Sequence, residues 1–160
     1  MPLPLKSTPR ATPGVAPAVD RVDTAYLETL LGYNARRVSL TVIEHFTEGM
    51  TQYDLSPVDF SILSLVMHNP GITSRQLCTA LKLLPPNLVG KINMMKKRDL
   101  LTTKPHPEDG RAIGLHMTDE GTKLMVQAEK TASRLENEAA KRLGPSEKKT
   151  LLRLLQKIYF

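Results

Sequence analysis

The order of helix starts and strand patterns in the middle of this 160-residue chain limits its fold more than any other feature. Thr73 and Gln76 form a predicted capping box, which starts a short helix that ends near Leu83. A second helix is predicted over 87–98, because the two prolines before it suit a helix's first turn. Two short helices joined by a tight turn are typical of a helix-turn-helix.

The residues that follow this helix pair predict a β-hairpin. One strand covers 100–104, a turn-rich tip covers 105–110, and a return strand covers 111–117 with alternate apolar residues on one face. A helix-turn-helix followed by a hairpin is a winged helix-turn-helix. Its second helix enters the major groove of DNA, and its hairpin reaches the flanking minor groove or the phosphates.

Long helices are predicted on both sides of this unit, so the fold class is mainly α (α+β). Two apolar stripes from Asp23 to Met50 predict one long helix that must be covered on two sides, which favours a dimer. Ser56 and Asp59 predict another capped helix that ends near His68. The predicted divisions are an irregular or disordered arm over 1–20, an N-terminal dimerisation helix over 21–54, a DNA-binding domain over 55–118, and C-terminal dimerisation helices over 119–160 that are broken at Gly144-Pro145.

Most of the basic charge lies in the central unit. Residues 72–118 hold eight basic and three acidic side chains, a net charge of +5, whereas the whole chain carries +6. A local basic field attracts polyanions such as nucleic acid, and a solvated charged surface is the alternative interpretation.

Composition excludes several other classes of protein. The single cysteine, Cys78, rules out an intramolecular disulfide framework, and it is interpreted as a small core residue, with a redox role as the alternative. The four histidines lack metal-ligand spacing, and no nucleophile elbow or P-loop occurs, so we expect no cofactor, no metal and no enzymatic activity. No apolar run is long enough to span a bilayer and no signal peptide is recognised, which predicts a soluble cytoplasmic protein.

Six segments, in their order and spacing, resemble the MarR family of bacterial transcription regulators. The resemblance covers about residues 24–160. It implies a homodimer whose first and last helices interleave, with each subunit presenting a recognition helix and a wing to half of a pseudo-palindromic DNA site. The segments are Leu55-Ser56-Pro57, Ile72-Thr73 with Gln76-Leu77, Pro86-Asn87-Leu88-Val89-Gly90, Lys97-Arg98-Asp99-Leu100-Leu101, Pro107-Glu108-Asp109-Gly110-Arg111, and Leu115-His116-Met117-Thr118-Asp119-Glu120-Gly121.

Two positions depart from the family pattern. The usual glycine after the recognition helix is Asp99 in this chain, at a position that often adopts a positive φ. The usual Asp-Arg-Arg of the wing is Asp-Gly-Arg over 109–111. One wing arginine is therefore missing, so either the affinity for the minor groove is lower or Lys104 and His106 compensate for it.

The candidate DNA contacts lie on the helix pair and the hairpin. Amides read adenine, and lysine reads guanine or neutralises phosphate, so Asn87 and Lys91 lead, with a solvated helix surface as the alternative. The start of the first helix suits a phosphate as well as a cap, and Arg111 has a salt bridge with Asp109 as its alternative. A helical glycine is costly, so Gly90 indicates close approach of another surface or packing against a helix. The predicted set is Thr73, Ser74, Arg75, Pro86, Asn87, Gly90, Lys91, Lys104, His106 and Arg111.

A ligand site is also implied by the resemblance, between the long helices and the winged domain, where small aromatic anions bind. Arg36 and Arg37 interrupt an apolar helix, and a guanidinium beside tyrosines suits a carboxylate with an aromatic ring. The alternative interpretation is an interdomain or intersubunit salt bridge with core packing. The predicted ligand-binding residues are Tyr26, Tyr33, Arg36, Arg37, Phe60 and Met67.

The sequence therefore predicts a ligand-responsive transcription repressor. We expect it to leave a pseudo-palindromic double-stranded DNA operator when a small aromatic acid or its coenzyme A thioester binds. A constitutive or architectural DNA-binding protein without an effector is the alternative. The two differ in whether a small molecule changes DNA affinity.

Overall fold

The computed structural model describes residues 21–105 and 113–159. Their contacts form two compact units, one ending at Ala35 and the other beginning at Arg36. Among the described residues, no helix has both the length and the hydrophobicity needed to cross a membrane. The elements are α1 (Ala25–Glu28), α2 (Leu31–Met50), a 3₁₀ turn (Thr51–Tyr53), α3 (Pro57–His68), β1 (Ile72–Thr73), α4 (Ser74–Leu81), α5 (Pro85–Lys97), β2 (Leu101–Pro105), β3 (Ile113–Met117), α6 (Asp119–Ala139) and α7 (Pro145–Tyr159).

The single helix predicted from Asp23 to Met50 is wrong, because the chain breaks between α1 and α2. Side chains take over carbonyl oxygens that a continuous helix would pair with backbone N–H groups. Thr29 Oγ1 donates to the Tyr26 carbonyl oxygen at 2.7 Å. Asn34 Nδ2 donates to the Glu28 carbonyl oxygen at 2.8 Å.

The start of α3 confirms the capping box predicted for Ser56 and Asp59. The Asp59 N–H donates to Ser56 Oγ at 3.2 Å, and the Ser56 N–H donates to Asp59 Oδ2 at 3.2 Å. Pro57 occupies the first turn, where its missing N–H costs no helical hydrogen bond. This cap fixes where α3 begins and therefore where Asp59 lies.

The second unit has one apolar core, to which α3, α4, α5, α6 and the small sheet all contribute. Burial of these side chains drives the packing of the helix pair against the long helices. Phe46 and Phe60 meet edge to face beside the core, with ring centroids 5.2 Å apart. The fully buried side chains are Met50, Ile62, Leu63, Val66, Leu77, Leu88, Leu115, Met125 and Ala128.

The predicted hairpin is present, and a third strand joins it. The sheet order is β1-β3-β2, and both pairings are antiparallel. Ile72 pairs with Leu115, so the chain just before α4 is hydrogen-bonded to the wing. Sequence periodicity did not predict β1, since two residues are too few to show alternation.

The other predicted boundaries differ from the structure by a few residues. The first helix of the pair ends at Leu81 instead of Leu83, because Lys82 adopts a left-handed conformation with φ 51°. The helix after the wing ends at Ala139 instead of about Leu143. The last helix begins at Pro145, one residue before the predicted Ser146. None of these shifts changes the order of the elements, and the mainly α winged fold is confirmed.

Candidate DNA-binding surface

The helix pair begins at Thr73, where the predicted capping box is confirmed. Thr73 Oγ1 accepts a hydrogen bond from the Gln76 N–H at 3.3 Å, and the Thr73 N–H donates to Gln76 Oε1 at 2.9 Å. Ser74 and Arg75 follow in the first turn of α4 and are exposed. The cap thus leaves two polar side chains outside the core, and their contact with phosphate stays a prediction.

The recognition helix α5 begins with two prolines and turns its apolar side inward. Leu88, Ile92 and Met95 are buried, and they fix which side of the helix faces away from the core. We call the residues on that other side the outer face of α5. Up to Met94, the outer face consists of Pro86, Asn87, Val89, Gly90, Asn93 and Met94, all of them exposed, and Lys97 continues it one turn after Asn93.

Gly90 lies in the middle of the outer face. A Cβ atom built there would meet no other atom within 4 Å. Helix packing within the described chain therefore does not account for this glycine. Of the two interpretations of Gly90, close approach of another surface remains.

Lys91 does not extend freely from the helix. Its Nζ atom donates to Asp59 Oδ1 at 2.7 Å, and the two side chains are 31% and 13% exposed. The other oxygen of Asp59 accepts hydrogen bonds from the Ser56 side chain and backbone N–H. The prediction that Lys91 contacts DNA stays a prediction, and this ion pair competes with any such contact.

The pKa of Asp59 reflects this environment. Burial acts to raise the pKa, whereas the hydrogen bonds from Lys91 and Ser56 and the attraction of the ammonium group lower it. The balance leaves the pKa of Asp59 below its ordinary value. The carboxylate is therefore charged at neutral pH and holds Lys91 as a counter-ion.

The end of α5 is anchored by Arg98. Arg98 Nη1 donates to the Asp54 carbonyl oxygen at 2.7 Å, and Nη2 donates to the Tyr53 carbonyl oxygen at 2.8 Å. Tyr53 in turn shares a hydrogen bond of 2.9 Å between its hydroxyl and Thr131 Oγ1 of α6. Arg98 therefore links the recognition helix to the segment that precedes α3, and through Tyr53 to α6.

Asp99 follows this anchor with a φ of 55°, as the glycine pattern of related sequences predicts. Lys104 is exposed on β2, and Lys96 donates to Thr103 Oγ1 at 3.3 Å. Two predicted wing contacts, His106 and Arg111, lie outside the described residues. The DNA contacts assigned to Lys104, His106 and Arg111 stay predictions.

The predicted ligand residues fall in both units. Within the first unit, Tyr26 is exposed and Tyr33 is half-buried. Within the second, Arg36 and Arg37 are exposed, whereas Phe60 and Met67 pack against the core. No ion pair links either guanidinium to another described residue, and the intersubunit salt bridge stays an open alternative.

Sequence patterns did not indicate the roles of Asp59 and Arg98 in positioning α5. Asp59 was recognised as a cap, but the partner of its Oδ1 atom, Lys91, is 32 residues away along the chain. Arg98 donates to backbone carbonyl oxygens. Because every residue carries one, the sequence does not indicate which of them Arg98 binds. A hint was available in Lys91, because it lies three residues after the buried Leu88 and four before the buried Met95, and is therefore close to the core side of the helix.

Comparison with known proteins agrees with this fold. A family model described as the MarR family matches residues 53–112. The transcriptional repressor CouR, in a structure bound to a 23-mer DNA duplex, is 32% identical with a TM-score of 0.81 and covers 88% of this chain and 100% of its own. This chain belongs to the MarR family.

Other MarR relatives support the same assignment. CouR bound to p-coumaroyl-CoA matches with a TM-score of 0.74 and 32% identity over 87% of this chain and 98% of that one. A protein of Thauera aromatica, to which transcriptional regulation of the hcr operon is attributed, is 26% identical over 81% of this chain and 78% of its own. MarR of E. coli is 22% identical, with a TM-score of 0.70 over 81% of this chain and 96% of its own, and shows the fold alone. The protein is a DNA-binding transcription regulator of this family.

Proposed function

We propose that this MarR-family regulator is a repressor that a small aromatic acid, or its coenzyme A thioester, releases from a pseudo-palindromic operator. The observation that carries the proposal is the 32% identity to CouR over almost the whole chain. CouR is described both on a DNA duplex and with p-coumaroyl-CoA. A close relative with both partners favours a regulator over a constitutive DNA-binding protein.

The anionic part of the effector needs a cation that is not already paired. Arg36 and Arg37 are exposed and form no ion pair with another described residue. A guanidinium binds a carboxylate or a phosphate through two parallel hydrogen bonds, which fixes orientation as well as charge. We assign Arg37, with Arg36 beside it, to the anion.

Exposed apolar side chains on the second unit support a homodimer. A monomer would leave them in water at a considerable cost in free energy. A groove of about 470 Å³, lined by Val38, Leu151, Leu152 and Leu155 among others, lies beside them. Covering this surface with a second copy would bury it, and the two-fold axis would match a pseudo-palindromic site. The exposed side chains are Val38, Leu40, Ile43, Leu151, Leu152, Leu154, Ile158 and Tyr159.

Release of DNA would follow from a difference in affinity between two conformations. In a dimer, the two recognition helices reach half-sites about 10 bp apart. An effector that binds a conformation with another spacing lowers DNA affinity, by no more than its preference for that conformation. The effector therefore needs no contact with the DNA surface.

Fluorescence anisotropy tests the proposal. The full chain is titrated onto labelled duplexes from the intergenic DNA beside its own gene, with and without aromatic carboxylates and their coenzyme A thioesters. We expect specific binding that one compound relieves, and we expect Arg37→Ala to bind DNA normally but to resist release. Lys130→Ala, an exposed cation on α6, is the matched control and should respond like the wild type.

Three results would contradict the proposal or a part of it. Specific binding that no compound alters would favour the constitutive or architectural DNA-binding protein. Normal release of the Arg37→Ala variant would make Arg37 a structural residue. Absence of any specific binding would contradict the proposal that the protein recognises an operator in this DNA.

A further inference from the structure

Up to Met94, the outer face of α5 carries no charge. Residues 85–95 contain a single cation, Lys91, and no anion. The outer face instead presents two amides, Asn87 and Asn93, and two apolar side chains, Val89 and Met94, that are 53% and 57% exposed. A recognition helix contacts base edges mainly through its N-terminal part, so this uncharged stretch is the part that reads sequence.

Asp59 holds Lys91, the one cation among residues 85–95, away from the outer face. The Lys91 ammonium is 2.7 Å from Asp59 Oδ1, on the side of α5 that faces α3. Asp59 is itself held by the cap of α3, because its Oδ2 atom accepts hydrogen bonds from the backbone N–H and the hydroxyl of Ser56. Breaking the pair to reach a base would leave a half-buried carboxylate without its counter-ion, which is costly.

Each group on the outer face prefers a particular base pair. A lysine or arginine reads guanine through O6 and N7, whereas asparagine pairs with adenine through N6 and N7. Apolar side chains pack against the methyl group of thymine. With its lysine held by Asp59, the outer face keeps the adenine and thymine contacts and lacks the guanine contact.

We propose that α5 reads A·T base pairs at the centre of each half-site, and that Asp59 sets this specificity by holding Lys91 away from the bases. Asn87 and Asn93 bond adenine edges, Val89 and Met94 contact thymine methyl groups, and Gly90 lets the helix approach the groove floor. The proposal rests on the proposed binding of DNA through α5. It adds which bases are read and names a residue that determines specificity without touching DNA.

The cations in the last turn of α5, Lys96 and Lys97, supply affinity for DNA without changing the preference for A·T pairs. Lys97 is exposed in the last turn of α5, and Lys96 donates to Thr103 Oγ1 of β2. Cations at this end of the helix are placed for phosphates, which carry no direct sequence information. Their contribution depends on salt and is the same for every duplex.

Selection from duplexes with a randomised centre tests the base preference. The full wild-type chain should enrich A·T pairs at two or more positions of each half-site. In the selected duplex, replacing one thymine by uracil removes a methyl group and should weaken binding about three- to fivefold. Asn87→Ala should weaken binding to the same duplex by about tenfold and relax the preference at one position.

Asp59→Asn tests the role of the carboxylate. The amide keeps the size of the side chain but cancels the charge that holds Lys91. We expect this variant to select guanine at one position of each half-site, and its salt slope to steepen by about one unit for each Lys91 that reaches DNA. The double variant Asp59→Asn with Lys91→Met should return to the A·T preference.

Lys91→Met alone keeps the proposal testable if Asp59→Asn folds poorly, which circular dichroism and thermal unfolding would detect. We expect Lys91→Met to keep both the A·T preference and the wild-type salt slope. Enrichment of G·C pairs by the wild type, lost in Lys91→Met, would overturn this inference and leave the proposed DNA-binding function standing. Absence of enrichment by any variant would overturn both.

Discussion

Arg98 at the end of the recognition helix donates a hydrogen bond of 2.8 Å to the carbonyl oxygen of Tyr53, in the turn before α3. The same guanidinium also bonds the next carbonyl oxygen along the chain. One side chain thus satisfies two backbone acceptors and fixes the end of α5 against the segment that leads out of α2. This anchor carries no sequence information for DNA, yet the position of the outer face depends on it.

Arg98→Met should lower the free energy of unfolding by about 2–3 kcal/mol, because hydrogen bonds from a charged donor are worth more than neutral ones. Urea denaturation measures this change. Lys97→Met, one residue earlier and exposed, should change stability by less than about 0.5 kcal/mol. Equal losses in the two variants would mean that the Arg98 bonds contribute nothing net.

Asp59 should make stability depend on pH. Since its folded pKa is below the ordinary value, its contribution is complete above the unfolded pKa of about 3.9 and is lost as pH falls through the folded pKa. Unfolding free energies of wild type and Asp59→Asn should therefore differ at pH 7 and converge in acid. Glu44→Gln, exposed on α2, serves as the control and should show no such convergence. A constant difference for Asp59→Asn would contradict the assignment.

Two glycine-to-alanine changes should have opposite effects. At Gly121 a Cβ atom would overlap the Leu100 carbonyl oxygen, which is backbone and cannot easily move. Gly121→Ala should therefore lower the free energy of unfolding by about 1–3 kcal/mol or more. Gly90→Ala meets open space and should raise it by up to about 1 kcal/mol. Thermal unfolding checks both signs.

Gly90→Ala also tests whether DNA approaches the helix closely. The added methyl group would stand on the outer face of α5 without disturbing the fold. We expect the variant to have a higher free energy of unfolding and, in fluorescence anisotropy, a weaker affinity for the selected duplex. Unchanged binding would show that DNA does not approach this point.

Leu152→Asp should convert a dimer into a monomer. Its side chain is 48% exposed and borders the apolar groove on α7, where a charge could not be buried against a second copy. Light scattering after gel filtration should give twice 17.8 kDa for the wild type and 17.8 kDa for the variant. Lys149→Glu changes an exposed charge on the same helix and should remain dimeric. A monomeric wild type would contradict the proposed dimer.

Local signals in the sequence predicted the elements well. Capping chemistry is contained within four residues, so Ser56 with Asp59 and Thr73 with Gln76 were both recognised and confirmed. The left-handed Asp99 was expected from a related glycine pattern. Features that span few residues and use side-chain identity are therefore accessible without a structure.

Tertiary partners were not accessible in this way. The break at Thr29 depends on Thr29 and Asn34, whose side chains compete for carbonyl oxygens, but the same residue types also occur inside helices and do not by themselves fix a break. Lys91 was placed on the DNA side because its residue type suits DNA. The acidic partner that competes for it, Asp59, becomes visible only when α3 and α5 are packed together.

The middle strand of the sheet has a mechanical consequence. β3 pairs with β2 along its whole length and with β1 at Gly114 and Leu115; β1 leads directly into α4, and β2 follows α5. A force on the hairpin is therefore transmitted through two hydrogen-bonded strand pairings. One leads to the start of α4 and the other to the end of α5. The backbone of Gly114 and Leu115 lies in both pairings, so their amides should exchange with deuterium only when the helix pair itself opens, and the base of the hairpin and the helix-turn-helix should unfold as one unit.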